Sequence, residues 1–492
     1  MDHVLGIDIG TGSTKAVAVD LTGKPFADHQ EMYPYSSPKP GYHEQDPEQI
    51  WAAFQKTIKG ISHKTGKPLA IGLSSALHSF IPVDENCRAL APMMTWADSR
   101  AYAIAKKLRA SDEGMAIYRA TGTPLHAMSP LCKLIWLREN DTALFNAAHK
   151  FISIKEYIWY RLFNEFKVDH SIASGTGLFN VSSLSWHTDS LQLAGITENK
   201  LSEPVATNYM QKYIRHDHQS FLEPGTPVTI SASDGCLANL GSMANKPGIA
   251  AITIGTSGAV RVASGKPLPN DKAMTFSYIL DDETFICGGP INNGGIAMQW
   301  WLKNFVGAAL TESEYDKAFE QIEIVAPGCD GLIFLPYLTG ERAPIWDSES
   351  CGTFFGVKLQ HSRHHFSRAV LEGICFALKD VLEAVQENSA PITQINISGG
   401  FVKSDVWVQT LANITGKKLA IVQPEDASAV GAALMAMKET GLIKEYPITA
   451  PGQKVFDPDH ACADVYAKNF KVYRQLYADL KTTMHRVSNI ED

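Results

Sequence analysis

The chain has 492 residues, and several features it lacks narrow what it can do. No run of Lys and Arg is long enough for a polybasic arm, and the net charge is −8, which argues against a nucleic-acid surface. No apolar stretch is long enough to span a bilayer, and the N-terminus enters a strand-like segment without a basic-then-apolar leader. The eight cysteines are scattered with no C-x-x-C spacing, so neither a zinc site nor a disulfide framework is expected. A G-x-x-x-x-G-K-S/T loop is also missing. The composition is otherwise that of an ordinary globular protein with room for two sizeable cores. A cytoplasmic α/β protein is expected.

What is present is concentrated first in residues 5–20, Leu-Gly-Ile-Asp-Ile-Gly-Thr-Gly-Ser-Thr-Lys-Ala-Val-Ala-Val-Asp. An apolar run reaches Asp8, a Gly/Thr/Ser turn follows, and Lys15 opens a second apolar run. This predicts a β-hairpin whose loop suits a polyphosphate. Backbone N–H groups, Thr11, Gly12, Ser13, Thr14 and Lys15 would meet phosphate oxygens, while Asp8 would hold the accompanying Mg²⁺. A dinucleotide-binding turn is the rival reading, but position 15 is lysine rather than glycine, and Ala16 to Val19 alternates like a strand instead of opening a helix.

The segment recurs at Ile252-Thr253-Ile254-Gly255-Thr256-Ser257-Gly258, with Thr253 lying 245 residues beyond Asp8. Since twice 245 nearly equals the chain length, two copies of one domain are predicted, residues 1–245 and 246–492, with the boundary near Ala244–Gly248. The second copy has Thr253 in place of Asp8 and Val260 in place of Lys15, so only the first loop carries metal and ammonium chemistry. A cleft between the two lobes is the expected binding place.

Elsewhere, helices are predicted from Asp46-Pro47 and at 99–111, 131–140, 155–163, 296–305 and 366–387, with another from Ser404 and a final one at 429–440 after Glu425-Asp426. Strands are predicted at 69–74, 228–230, 249–254 and 395–398.

Two longer patterns carry a resemblance. The first is Met128-x-Pro130-x-x-Lys133-Leu134-x-Trp136-Leu137-x-Glu139-Asn140. The second runs from Gly352-x-Phe354-x-Gly356-Val357 to His365-Phe366-x-x-Ala369-Val370-Leu371-Glu372. With them the chain resembles the FGGY carbohydrate kinases over nearly its whole length. That resemblance implies an α/β fold of two tandem actin/hexokinase-type (ribonuclease H-like) lobes with an interlobe cleft, closing over ATP and a sugar. It also implies Mg²⁺ as cofactor and a possible homodimer, with no nucleic-acid or membrane partner. The wording of 74–79, 95–100, 121–126 and 340–346 is closest to the branch that phosphorylates D-gluconate; a ketopentose such as xylulose is the nearest alternative.

The resemblance makes Asp234, at the end of a strand and the start of an apolar helix, the catalytic base; its bland alternative is a helix N-cap. It places nucleotide contacts at Gly255, Thr256, Gly295, Gln299, Gly399, Gly400 and Ser404, although related branches often have Asn where Ser404 stands. For the substrate, His78 can donate or accept, Asp98 can accept from hydroxyls, Arg100 offers a bidentate fork, and Trp96 offers an apolar face or belongs to the core. Lys155 is either a further cation for the substrate or a helix-start residue paired with Glu156 or solvent, and Arg342 is read as a brace within the second lobe. His361, His364 and His365, and His216 and His218, have no supporting ligand spacing for a metal. Two other readings remain open: a catalytically silent carbohydrate-binding protein, and an actin-like polymer that leaves both sugar-kinase patterns unexplained.

Overall fold

The computed structural model describes residues 1–213, 221–307, 311–422, 426–447 and 454–488. Its contacts divide the chain into two units. Unit 1 comprises Met1–Asn245, Ala263–Cys287 and Asp426–Thr449; unit 2 comprises Lys246–Val262, Gly288–Glu425 and Ala450–Asp492. The first break lies between Asn245 and Lys246. Two later segments nevertheless fold with unit 1, so the units of contact differ from the sequence halves 1–245 and 246–492.

Unit 1 is built on the predicted hairpin. His3–Ile9 and Ser13–Asp20 pair antiparallel, with Asp8 opposite Lys15 and Ile9 opposite Thr14. His3–Ile9 also pairs parallel with Ile71–Ser75, which pairs parallel with Val228–Thr229, which pairs antiparallel with Met210–Gln211. Unit 2 repeats this plan. Ile249–Ile254 pairs antiparallel with the strand beginning at Gly258 and parallel with Gln394–Ser398; Lys418–Ile421 follows in parallel and Val455–Phe456 antiparallel. The duplication read from one short echo is therefore a duplication of sheet topology. The second turn is one residue shorter, so Ala259, not Val260, stands opposite Thr253 where Lys15 stands opposite Asp8.

Local chemistry explains the main helices. Asp46 caps Pro47–Thr65 by accepting from the Glu48 N–H at 2.9 Å, and the buried residues Ile50, Trp51, Phe54, Ile58 and Ile61 form one helical stripe against the sheet. Helix Ala427–Glu439 is rich in Ala and buried on nearly every side. It lies against unit 1 so closely that a Cβ on Gly6 would sit 1.6 Å from the Ala429 carbonyl oxygen, and one on Gly72 2.0 Å from that of Ala432. This docking is the physical reason that a segment from the second half of the chain belongs to unit 1. The helix is not the last one, since Ala463–Ser488 follows with Tyr466, Phe470, Tyr473, Leu476 and Met484 buried. Its long, charge-rich outer face hides that stripe from a reading by apolar runs.

Arg342 is buried within unit 2, its Nε donating to Asn292 Oδ1 at 2.7 Å and its Nη2 to the Ile291 carbonyl at 3.1 Å. Among the described residues, no helix is long and apolar enough to cross a membrane.

If backbone contact is what docks helix 427–439, Gly6→Ala should destabilise the protein by about 1–3 kcal/mol or more, because neither backbone can yield without moving strand or helix. Urea unfolding monitored by circular dichroism checks this, and an unchanged midpoint would show that the helix does not dock there.

Candidate active site

In unit 1 the turn between the first two strands is fixed through its carbonyls. The Gly10 N–H donates to the Ser13 carbonyl at 2.9 Å, and the Tyr33 N–H donates to that of Gly12 at 3.2 Å. The Tyr33 hydroxyl donates to the Gly10 carbonyl at 2.5 Å, and the Gln45 amide to that of Thr11 at 2.6 Å. The Trp96 indole N–H donates to Thr11 Oγ1 at 2.9 Å. With its carbonyls engaged, the loop presents Gly12 to open space, where a Cβ would meet nothing within 4 Å.

Strand alternation then sorts the residues after the turn. Ser13 and Lys15 lie on the partly exposed face, whereas Thr14 is fully buried, so its hydroxyl is not displayed to a phosphate as expected. Lys15 Nζ ion-pairs with Asp426 at 2.8 Å and approaches Asp28 at 3.7 Å. Asp8 is partly buried and accepts from the Ser74 hydroxyl at 2.6 Å. Burial and the neighbouring carboxylate of Asp234, with a further contribution from Asp426, push the Asp8 carboxyl up to about 7; the Ser74 hydrogen bond and Lys155 act in the opposite direction.

Asp234 is the first residue of helix Asp234–Gly241, and Ser233 occupies the N-cap position. Asp234 therefore stands one position beyond the N-cap. Its Oδ1 accepts from the Gly235 N–H at 2.7 Å, and its carbonyl accepts from the Ser428 hydroxyl at 3.2 Å. Thus helix 427–439 touches both halves of the charged set, through Asp426 on Lys15 and through Ser428 on Asp234.

Of the residues expected at the substrate, Trp96 is brought to the phosphate loop through Thr11. His78 follows the strand beside Asp8 and is buried, with Nδ1 2.8 Å from the Gly175 carbonyl and Nε2 3.4 Å from the Tyr278 hydroxyl. Trp96 is partly buried and held by Thr11, so it is not a core tryptophan. Lys133, fully buried, donates to the His78 carbonyl at 2.6 Å and the Thr95 carbonyl at 2.7 Å, tying the two loops together. Burial pulls its ammonium down to about 7. Asp98 and Arg100 are committed to each other. Arg100 Nη2 lies 2.7 Å from Asp98 Oδ2 and 2.5 Å from Glu44 Oε1, its guanidinium stacks 3.6 Å from the Tyr42 ring, and the Asp98 side chain has no exposure. An arginine with a carboxylate two residues away pairs locally, which explains why neither is displayed to a ligand. Lys155 pairs neither with Glu156 nor with solvent; it is buried against Asp169.

Unit 2 holds a pocket of about 920 Å³. Gly255, Thr256, Gly295, Gln299, Gly400 and Ser404, all expected from sequence, line it. The Gly255 N–H donates to the Ser257 carbonyl at 2.9 Å, which repeats the Gly10–Ser13 contact of unit 1. The Gly295 N–H donates to the Gly255 carbonyl at 2.7 Å, an approach that a Cβ on Gly295 would obstruct. Met298, Phe319, Phe401 and Trp407 supply an apolar wall suited to a flat base. Gly399 is required for another reason: its φ is 110°, and a Cβ would sit 2.2 Å from the Ile254 carbonyl oxygen. The Ser404 hydroxyl accepts from the Trp407 N–H at 3.3 Å as a helix cap, so its side chain is partly spent on the fold.

Sequence reasoning missed Ser74, Tyr33, Gln45 and Asp426. Only Asp426 left a local trace, as an acidic residue just before a helix. His365 caps its own helix through Ser362, while His216 and His218 lie outside the described residues.

Residues 3–241 match the family model for the N-terminal domain of the FGGY family of carbohydrate kinases, and residues 250–439 match that for its C-terminal domain. A gluconokinase of Bacillus subtilis is 39% identical over 455 residues, which span 90% of this chain and 89% of that protein. The crystal structure of a gluconate kinase from Lactobacillus acidophilus superposes with a TM-score of 0.94 at 33% identity, covering 99% of both chains. That of a ligand-bound xylulose kinase from the same organism gives 0.94 at 32% identity, covering 99% of this chain and 100% of that one.

Two expectations follow from this geometry. Gly400→Leu should fold normally, since a Cβ there meets nothing within 4 Å, yet weaken ATP binding by about tenfold or more by filling the pocket; Gly399→Ala should instead lower stability. Titration of tryptophan fluorescence with ATP, beside thermal unfolding, separates the two. For Asp8, a folded-state pKa above the free value means that its contribution to stability is present in acid and is lost as pH rises from about 4 to about 7. In EDTA, Asp8→Asn should escape that loss, and Mg²⁺ should restore only the wild type. Parallel stability curves for the two proteins would refute the raised carboxyl.

Proposed function

The chain belongs to the FGGY family of carbohydrate kinases, and we propose that it transfers the γ-phosphoryl group of ATP to the terminal hydroxyl of D-gluconate. The observation that carries the kinase chemistry is the assembly, within unit 1, of Asp234, Asp8 and Lys15 beside a carbonyl-fixed phosphate turn. The relatives described as gluconokinase and gluconate kinase support the choice of sugar acid.

Asp234 takes the proton from the attacking hydroxyl; it stands as the first residue of its helix, with Oδ1 accepting from the Gly235 N–H. Lys15 neutralises phosphate charge and exchanges its Asp426 partner for a phosphate oxygen. The N–H groups around Gly12 and the hydroxyls of Thr11 and Ser13 orient the phosphates. His78 and Trp96 contact the sugar, while Asp98 and Arg100 brace the loop behind Trp96. Unit 2 holds the nucleoside in its pocket.

Mg²⁺ fits the donor set. Asp8 is a carboxylate whose proton affinity is raised by burial and by the Asp234 and Asp426 carboxylates, with the Ser74 hydroxyl beside it, and hard oxygen donors of this kind suit a hard cation. Asp8, through its waters, would hold the ion, whose chemistry is to neutralise charge on the β- and γ-phosphates. A ketopentose is the second reading, favoured by the equally close superposition of a xylulose kinase.

ADP release from MgATP, measured with D-gluconate, D-xylulose, L-ribulose, glycerol and no sugar, tests the proposal. Selective turnover with gluconate is expected, and selective turnover with another sugar would replace the substrate. No turnover with any sugar despite ATP binding would favour a binding role. Asp234→Asn should lower kcat by about 10²–10⁴-fold with ATP affinity nearly unchanged, and near-normal turnover of the folded variant would remove Asp234 from the mechanism.

A further inference from the structure

The turn that delivers Asp234 is conformationally strained. Ser231 has a φ of 54°, in the left-handed region that side chains disfavour, and residues 231–233 are buried. A turn of this kind holds its shape only when its polar groups are firmly engaged. The carbonyls of Ser231 and Ala232 accept from Lys155 Nζ at 3.0 and 2.8 Å. The same ammonium pairs with Asp169 Oδ2 at 2.9 Å, and both side chains are 1% exposed. The ammonium thus donates to two carbonyls and is ion-paired with one carboxylate.

The other side of the turn is held from the same place. Asp169 caps helix His170–Ser174 by accepting from the Ile172 N–H at 2.9 Å. Ser171 on that helix accepts from the Ser233 N–H at 3.0 Å and donates to Ser233 Oγ at 3.0 Å. Lys155 grips the carbonyls and Ser171 grips the N–H, and Asp169 anchors both.

We infer that Lys155 is a positioning residue for phosphoryl transfer, which locks the 231–233 turn so that Asp234 meets the acceptor hydroxyl. The inference rests on the reading of Asp234 as the base. Lys155 is too deeply buried to touch the sugar or ATP; beside its charge effect on Asp8, its hydrogen bonds act through the backbone of the turn. Methionine fills the volume but leaves both carbonyls unmatched, and a glutamine amide, one atom shorter and with two donors, cannot serve Asp169 and both carbonyls together, so the turn relaxes from its strained form. A displacement of about 1 Å at a catalytic carboxylate costs on the order of 10²-fold in rate.

Lys155→Met and Lys155→Gln in the full-length enzyme, assayed with MgATP and the sugar that the wild type turns over, test this. The expected result is a kcat lower by about 10²-fold, with KM for ATP within about threefold of wild type and a cooperative unfolding transition. Lys155→Arg, which keeps the cation, should recover at least about tenfold of the kcat lost in the methionine variant. A role confined to stability would lower the unfolding temperature and leave kcat of the folded protein unchanged. A folded Met or Gln variant with kcat within about threefold of wild type overturns the inference. Failure of both to fold overturns it as well, since it assigns Lys155 to the scaffold. Asp234→Asn run in parallel separates the two readings. If it turns over normally, the base assignment fails; if it is inactive while Lys155→Gln is normal, only the positioning role fails.

Discussion

Backbone packed directly on backbone is the constraint on which unit 1 depends. Helix Ala427–Glu439 approaches the strands carrying Gly6 and Gly72 so closely that no side chain fits between them. The same holds on the neighbouring helix, where a Cβ on Gly241 would sit 2.0 Å from the Ala427 carbonyl oxygen and one on Gly431 2.0 Å from that of Leu237. Four glycines on four elements leave little freedom for sliding. The result is functional as well as structural, because the docked helix brings Asp426 to Lys15 and Ser428 to the Asp234 carbonyl. Packing fixes where the charges lie.

Those charges share one logic. Asp8, Asp234 and Asp426 gather carboxylate around the phosphate turn, which raises the proton affinity of Asp8 and favours a cation there. Each nearby lysine has a different assignment. Lys15 stays partly exposed on a strand face and can exchange partners, whereas Lys155 and Lys133 are buried with their hydrogen bonds committed to backbone carbonyls. The two buried lysines serve as internal fasteners for the loops carrying Asp234, His78 and Trp96.

Much of the candidate site was legible because its signals are local. A Gly-rich turn between two apolar runs predicts a hairpin wherever it occurs, and its echo predicts a second; both are present. Three glycines of unit 2, Gly255, Gly295 and Gly400, line one pocket, and at Gly295 close approach to the Gly255 carbonyl demands glycine. The reading weakened where a residue's fate depends on a distant partner. Thr14 looked like a phosphate ligand until strand alternation turned it inward, and Arg100 looked like a substrate fork until Asp98 and Glu44 occupied it. Helix Ala463–Ser488 escaped because its buried aromatic stripe lies among charged residues.

The sequence by itself determined the duplicated α/β plan, the two Gly-rich hairpin turns and the family. These follow from short-range periodicity, turn chemistry and motifs, all readable within a few tens of residues. Only the tertiary structure decided that residues 263–287 and 426–449 fold with unit 1, that Asp426 is the partner of Lys15, and that Lys155 belongs beneath the Asp234 turn. Such pairings join residues from well-separated parts of the chain, and they are selected by burial and by the need to satisfy every buried donor and acceptor. No local pattern encodes which distant carbonyl a lysine will meet, because that choice is made when the packed elements bring the two together.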